Sequence, residues 1–161
     1  MATLKDLYIE ELQDLWSAND QMEKVVAKMA DKTEDRSLAD RLRKSQDGIR
    51  QHAEALKGLI EEAGGAMKKE HCKGMEGLVA EAKKHALEAD LKGPVLDAAI
   101  LAQYQRLCHY GIAGFGTAKA YAEALGQEQA ANRLDRALDR IYESDDYATE
   151  LAERSKNAKA A

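Results

Sequence analysis

The chain has 161 residues, enough for one domain with a real core and too few for two. Its 24 basic and 29 acidic residues are interleaved to a net charge of −5, which leaves no basic face for nucleic acid, and no apolar run approaches the ~18 residues of a membrane span. A single proline, few aromatic residues and much Ala, Leu, Glu and Lys point to an all-α fold.

The N-terminus, MATLKDLYIEEL, carries acids where a secretory signal needs a basic and then an apolar region, so a cytoplasmic location is expected, with Cys72 and Cys108 reduced. A first helix is predicted from about Thr3 to Ala30, with Thr3 as N-cap and Asp6 in the favourable first turn. Its seam reads Leu4, Leu7/Tyr8, Glu11, Leu15, Ala18, Met22, Val25 and Met29. Glu11 is a carboxylate in an otherwise apolar stripe, and Asn19 lies beside Ala18.

The second helix, about Ser37 to Ala63, can be capped by Ser37 or Asp35 and stops at Gly64-Gly65. Its seam is Leu38, Leu42, Ser45, Ile49, His52, Leu56, Leu59 and Ala63, with Ser45 and Gly48 leaving the middle small. His52 reads as a core histidine with a local partner, because buried polar groups are usually paired. Between Ala66 and Gly93 a shorter pattern, Met75, Leu78, Val79, Ala82 and Ala86, predicts a crossover helix ended by Gly93-Pro94. His71 and Cys72 are adjacent, so their side chains diverge, and no second pair stands at zinc spacing.

The strongest pattern runs from Asp97 to Gly126, with apolar or small residues at 97/98, 101, 104, 108, 111/112, 115, 118, 122 and 125. This is the central helix of a bundle, with Cys108 and Gly111 at its mid-length, and the glycines 111, 114 and 116 read as permitting close helix approach. After Gly126 a last helix, Gln127 to about Lys156, has the seam Ala131, Leu134, Leu138, Ile141, Asp145, Ala148 and Ala152. Asp145 is its one charge and should find a partner such as His109, Tyr110 or Asn19. Residues 1–156 thus form a single helical-bundle domain, and 157–161 a frayed tail. Neither GxGxxG nor GxxxxGK[ST] occurs, and no catalytic triad is suggested.

Four segments, DLYIEELQDLWSA, HCKGMEGLVAEA, CHYGIAGFGTAKAYAEALG and YESDDYATELAE, resemble the YciE/YciF family of bacterial ferritin-like proteins, in the right order and over most of the chain. The resemblance implies a ferritin-like four-helix bundle with an additional short crossover helix, a homodimer and a link to stress responses. It also implies where metal ligands would stand. Members with a di-metal centre resemble A-E-K-Q in the first helix, where this chain has Ala18-Asn19-Asp20-Gln21. Their H-x-x-E-T in the second helix falls on Ser45, Gly48 and Ile49, and their E-H-Y-E on Cys108-His109-Tyr110-Gly111. Their last-helix motif, D-E-E-K-A-x-D, keeps only Asp139 and Asp145.

Because these departures occur together, the ligand set of a carboxylate di-metal centre is missing. The expected function is therefore a non-enzymatic, metal-free ferritin-like protein, structural or interaction-based, with no catalytic residue and no metal ligand. At the former metal position an interior polar cluster of Asn19, Ser45, Cys108, His109 and Asp145 is expected, and either the helices close on Gly48 and Gly111 or a small pocket persists. The alternative is an iron or manganese site with relocated ligands drawn from Glu11, His52, His109, Cys108, Asp145 or Glu143. A third reading makes Cys108 a reactive thiol, which needs an exposed, electropositive setting.

Overall fold

Thr3 opens the first helix with a reciprocal cap. Its hydroxyl accepts from the Asp6 amide at 3.1 Å, while the Asp6 carboxylate accepts from the Thr3 amide at 2.8 Å. The computed structural model describes residues 1–67 and 71–160, with side chains as far as Arg154. The tail expected to fray, 157–161, lies outside the described side chains. From the Thr3 cap α1 runs over Leu4–Lys32, two residues past its expected end. Asp35 rather than Ser37 caps α2, Arg36–Glu62, accepting from the Leu38 amide at 2.7 Å. Gly64, at φ +80°, supplies the left-handed residue that ends it.

The crossover holds α3, Lys73–Ala82, which continues into a π-helical turn over Lys83–Leu87. Lys32 at the end of α1 donates to the carbonyls of Leu87 and Ala89 and ties that turn down. The pair Gly93-Pro94, expected as a stop, instead begins α4, Gly93–Ala124, four residues ahead of Asp97. Proline is tolerated in a first turn because the amide it lacks would have no intrahelical acceptor there. Gly126, at φ +72°, turns the chain into α5, Glu128–Ala160.

Cross-helix contacts fix the directions. Thr33 meets Asp97 at 2.5 Å and Asp14 meets Tyr110 at 2.7 Å, so α1 and α4 are antiparallel neighbours. Arg133 bonds Glu62 at 3.0 Å while Arg41 lies over the Tyr147 ring at 4.3 Å, so α2 and α5 are antiparallel too. Two hairpins, α1/α2 and α4/α5, thus face each other as in a ferritin-like bundle with one long crossover, and α3 packs across α1 and α4.

The core forms two clusters. One, around Met22, Val26, Leu42, Met75, Ile100 and Leu107, lies at the end covered by α3; the other, around Tyr8, Leu12, Leu56, Phe115 and Leu134, lies at the opposite end. Ile141 touches both. The predicted α4 stripe is buried at Leu101, Tyr104, Cys108, Gly111, Phe115, Ala118 and Ala122. The α2 and α5 seams are interrupted at mid-length, where Ser45, Ile49, Ile141 and Asp145 are only half-buried. There the two helices stand apart.

Candidate functional site

The level at which the family resemblance would place metal ligands lies at that separation. Asn19 is buried in α1 and spends its amide on its own helix, donating to the Leu15 carbonyl at 2.8 Å. Ser45 of α2 and Tyr104 of α4 share a hydroxyl–hydroxyl bond of 2.6 Å across the bundle. One turn after Tyr104, burial pushes the Cys108 thiol up to about 12, so it is a protonated, unreactive group at neutral pH.

At Gly111 the helices do close up, since a Cβ there would stand 3.3 Å from Cδ1 of Ile141. At Gly48 a Cβ would meet nothing within 4 Å. The result is a cavity of about 560 Å³ entered between α2 and α5. Met22, Val26, Leu107 and Cys108 form its floor, and Asn19, Ser45 and His52 add polar groups to its wall. Arg41, Lys44 and Asp47 from α2 and Arg140 and Glu143 from α5 stand at its mouth.

The remaining two residues of the expected interior cluster lie elsewhere. His109, 64% exposed, holds the Asp145 carboxylate at 3.0 Å on the outer face of α4 and α5. Gln105 donates to the other oxygen of Asp145 at 3.2 Å and to Thr149 at 2.8 Å. The register explains this: His109 directly follows Cys108, and on a helix adjacent residues point about 100° apart, so only one of the two can face the interior. Asp145 finds one of its expected partners, but outside the cavity.

Glu11 is half-buried near Gly114, where burial and then the nearby Asp14 charge raise its carboxyl above the usual range. His52 packs edge-on against Phe115, ring centroids 5.6 Å apart, with its Nε2 unpartnered among the described residues. The proposed relocated ligands are therefore dispersed, and among the described residues no three of His, Cys, Asp and Glu converge on one point.

The sequence reading missed a second polar network. Tyr110 donates to Asp14 at 2.7 Å and lies 3.0 Å from the Cys72 sulfur, while the Cys72 amide donates to Ser17 at 2.8 Å. Cys72 is buried and also caps α3, accepting from the Met75 amide at 3.4 Å. Its place just before a helical pattern was the available signal. The cations at the cavity mouth were missed as well, because they read as the solvated face of α2 and α5.

Residues 3–161 match the family described as a domain of unknown function, DUF892. The chain is 34% identical to Protein YciF of Escherichia coli strain K12, over 99% of this chain and 96% of that protein. The crystal structure of the E. coli stress protein YciF superposes with a TM-score of 0.92 at 33% identity, covering 98% of this chain and 99% of that one. YcfI, a candidate structural protein from Rhodopseudomonas palustris, superposes with a TM-score of 0.85 at 30% identity over 92% and 94% of the two chains. A protein of Xanthomonas campestris pv. campestris shares the fold alone, at 16% identity and a TM-score of 0.76 over 98% and 95%.

Proposed function

The chain belongs to the YciE/YciF family, and from that premise we infer that it is a non-enzymatic member whose bundle works without a metal centre. It acts through structure or interaction, as a cytoplasmic homodimer in the stress-associated setting for which YciF is named. No helix among the described residues is long and apolar enough to cross a membrane.

The observation that carries this reading is the donor set at the cavity. A carboxylate di-metal centre in such a bundle takes about four acids and two histidines, one group or pair from each helix. Hard divalent ions need those oxygens, and the acids in turn need the ions to offset their repulsion. Here the corresponding positions hold Asn19, Ser45, Gly48, Cys108, Gly111 and Ile141. None of these is a carboxylate, and of the two acids that the last-helix motif keeps, Asp139 is exposed and Asp145 is held by His109 and Gln105 outside the cavity. Asn19 offers one neutral amide oxygen and Cys108 a soft sulfur, where hard ions need several carboxylates. The residues present do not fit the metals.

Such a loss need not weaken the fold, because buried charges are costly to desolvate and neutral replacements are often harmless or stabilising. The test is elemental mass spectrometry on protein purified without chelator or affinity metal, repeated after anaerobic incubation with ferrous and manganous ions. Far less than one ion per chain is expected in both samples. One or two tightly held ions per chain would overturn the reading.

A further inference from the structure

We propose that the cavity between α2 and α5 is a binding site for a small amphipathic anion, an alkyl or aryl carboxylate with its apolar body over Val26 and Leu107 and its head group near Lys44 and Arg140. This rests on the metal-free reading of the same space. The volume, about 560 Å³, lies in the range of ordinary small-molecule sites, which run from about 300 to 1,000 Å³. The interior is apolar where it is deepest and carries a few fixed polar groups, as such sites do.

The charge at the mouth selects the sign of the ligand. Arg41, Lys44 and Arg140 face Asp47 and Glu143 there. Asp47 is drawn outward to Arg50 at 3.5 Å, and Arg50 is itself held by Glu23 at 2.7 Å. Arg41 stacks its guanidinium on Tyr147. Lys44 and Arg140 have no carboxylate within ion-pair distance among the described residues, and the Arg140 guanidinium donates to Gln51 at 3.4 Å. Glu143 has no ion-pair partner among the described residues either, so three cations face two carboxylates and the mouth keeps an excess of one positive charge; beside a low-dielectric cleft that excess attracts an anion and opposes a metal ion. Gly48 lines the cavity, and a Cβ there would meet nothing within 4 Å, so the space beside it can take a larger side chain.

The test is calorimetric titration with octanoate, octanol and octyltrimethylammonium, which share a chain and differ in head-group charge, in buffer containing EDTA. Octanoate is expected to bind once per chain, about tenfold more tightly than octanol and more tightly still than the cation, and to weaken as salt is raised. Substituting Lys44→Gln with Arg140→Gln should bring octanoate down to the octanol level while octanol is unchanged. Gly48→Leu should abolish both, and because it replaces a mid-helix glycine with a good helix former it should fold with an undiminished melting temperature. Equal affinity for octanoate and octanol, preference for the cation, no binding, or full binding by the Gly48→Leu protein would each overturn the proposal. EDTA keeps this separate from the metal question. Octanoate binding that persists in chelator supports the site whatever the metal content, and binding that requires added iron or manganese defeats it.

Discussion

His52 carries the largest resolved pH effect on the folded state among the histidines. Burial, followed by the charge of Arg140, pulls its pKa down from 6.5 to about 4, so the ring is neutral at pH 7. The unfolded chain therefore binds a proton that the folded one refuses between those two values, and stability falls as pH drops from about 6.5 towards 4, then levels off once the folded form is protonated. At about 1.4 kcal/mol per pKa unit this is a loss of about 3 kcal/mol across the window. His52→Phe should remove that part of the dependence, and at pH 7 should stabilise by about 1 kcal/mol because no unpartnered nitrogen is left in the core. Urea denaturation of both proteins at pH 7, 5.5 and 4 decides the matter; the same slope in wild type and variant would remove His52 as its source. The sequence placed His52 in the core through its seam position. The local partner expected for it is missing at Nε2 among the described residues, since a partner depends on which side chains of other helices come within about 3 Å. Asp145 shows the same division: its need for a partner was legible, and the outward direction in which His109 meets it was not.

Glycines separate what periodicity reports from what it omits. A seam tells which face of a helix is turned inward, not how far away the facing helix stands. Gly48, Gly111 and Gly114 all lie on inward or half-inward positions, yet their surroundings differ. A Cβ at Gly114 would stand 2.3 Å from Cδ2 of Leu15, a side chain that is itself fully buried and cannot swing away. Gly114→Ala should therefore cost about 1–3 kcal/mol through overpacking of α1 on α4. Gly48→Ala should add about 0.5–1 kcal/mol, because nothing obstructs the methyl and a flexible residue is removed from a helix interior. Thermal melts of the two variants should shift in opposite directions; shifts of the same sign would contradict the spacing of the helices described above. The element ends divide similarly. The Thr3 cap was readable from Thr3 and Asp6 alone, whereas Gly93-Pro94 has a local chemistry that suits the end of one element and the start of another, and only the packing of Leu96 and Ile100 against the crossover settles it as a start.

Across the whole molecule, α1 and α4 are gripped on several sides and α2 is not. α4 packs on α1, α3 and α5, whereas α2 lies along α1 and meets α5 only sparsely, with the cavity between them. The four-helix plan was legible because every long helix carries a three-four stripe, but the unequal grip was not. It arises from the volume left when small residues from three helices, Asn19, Ser45, Gly48 and Gly111, meet at one level, a sum over the bundle that no single stripe contains. Opening energies within one domain run from near zero up to the global value, and the low end belongs to segments with few buried apolar contacts. The middle of α2, Ser45 to Gln51, has no fully buried residue, while α4 buries Leu101, Gln103, Tyr104, Leu107, Cys108 and Gly111 over a comparable stretch. Native-state hydrogen exchange should therefore show amides 45–51 opening at least about 2 kcal/mol more easily than amides 101–111, a difference of about thirtyfold in protection. Gly48→Leu, by placing an apolar side chain in the space that α2 and α5 now leave between them, should narrow that difference without changing protection in α4. Equal protection in the two helices of the wild-type protein would mean that the cavity does not weaken the hold on α2.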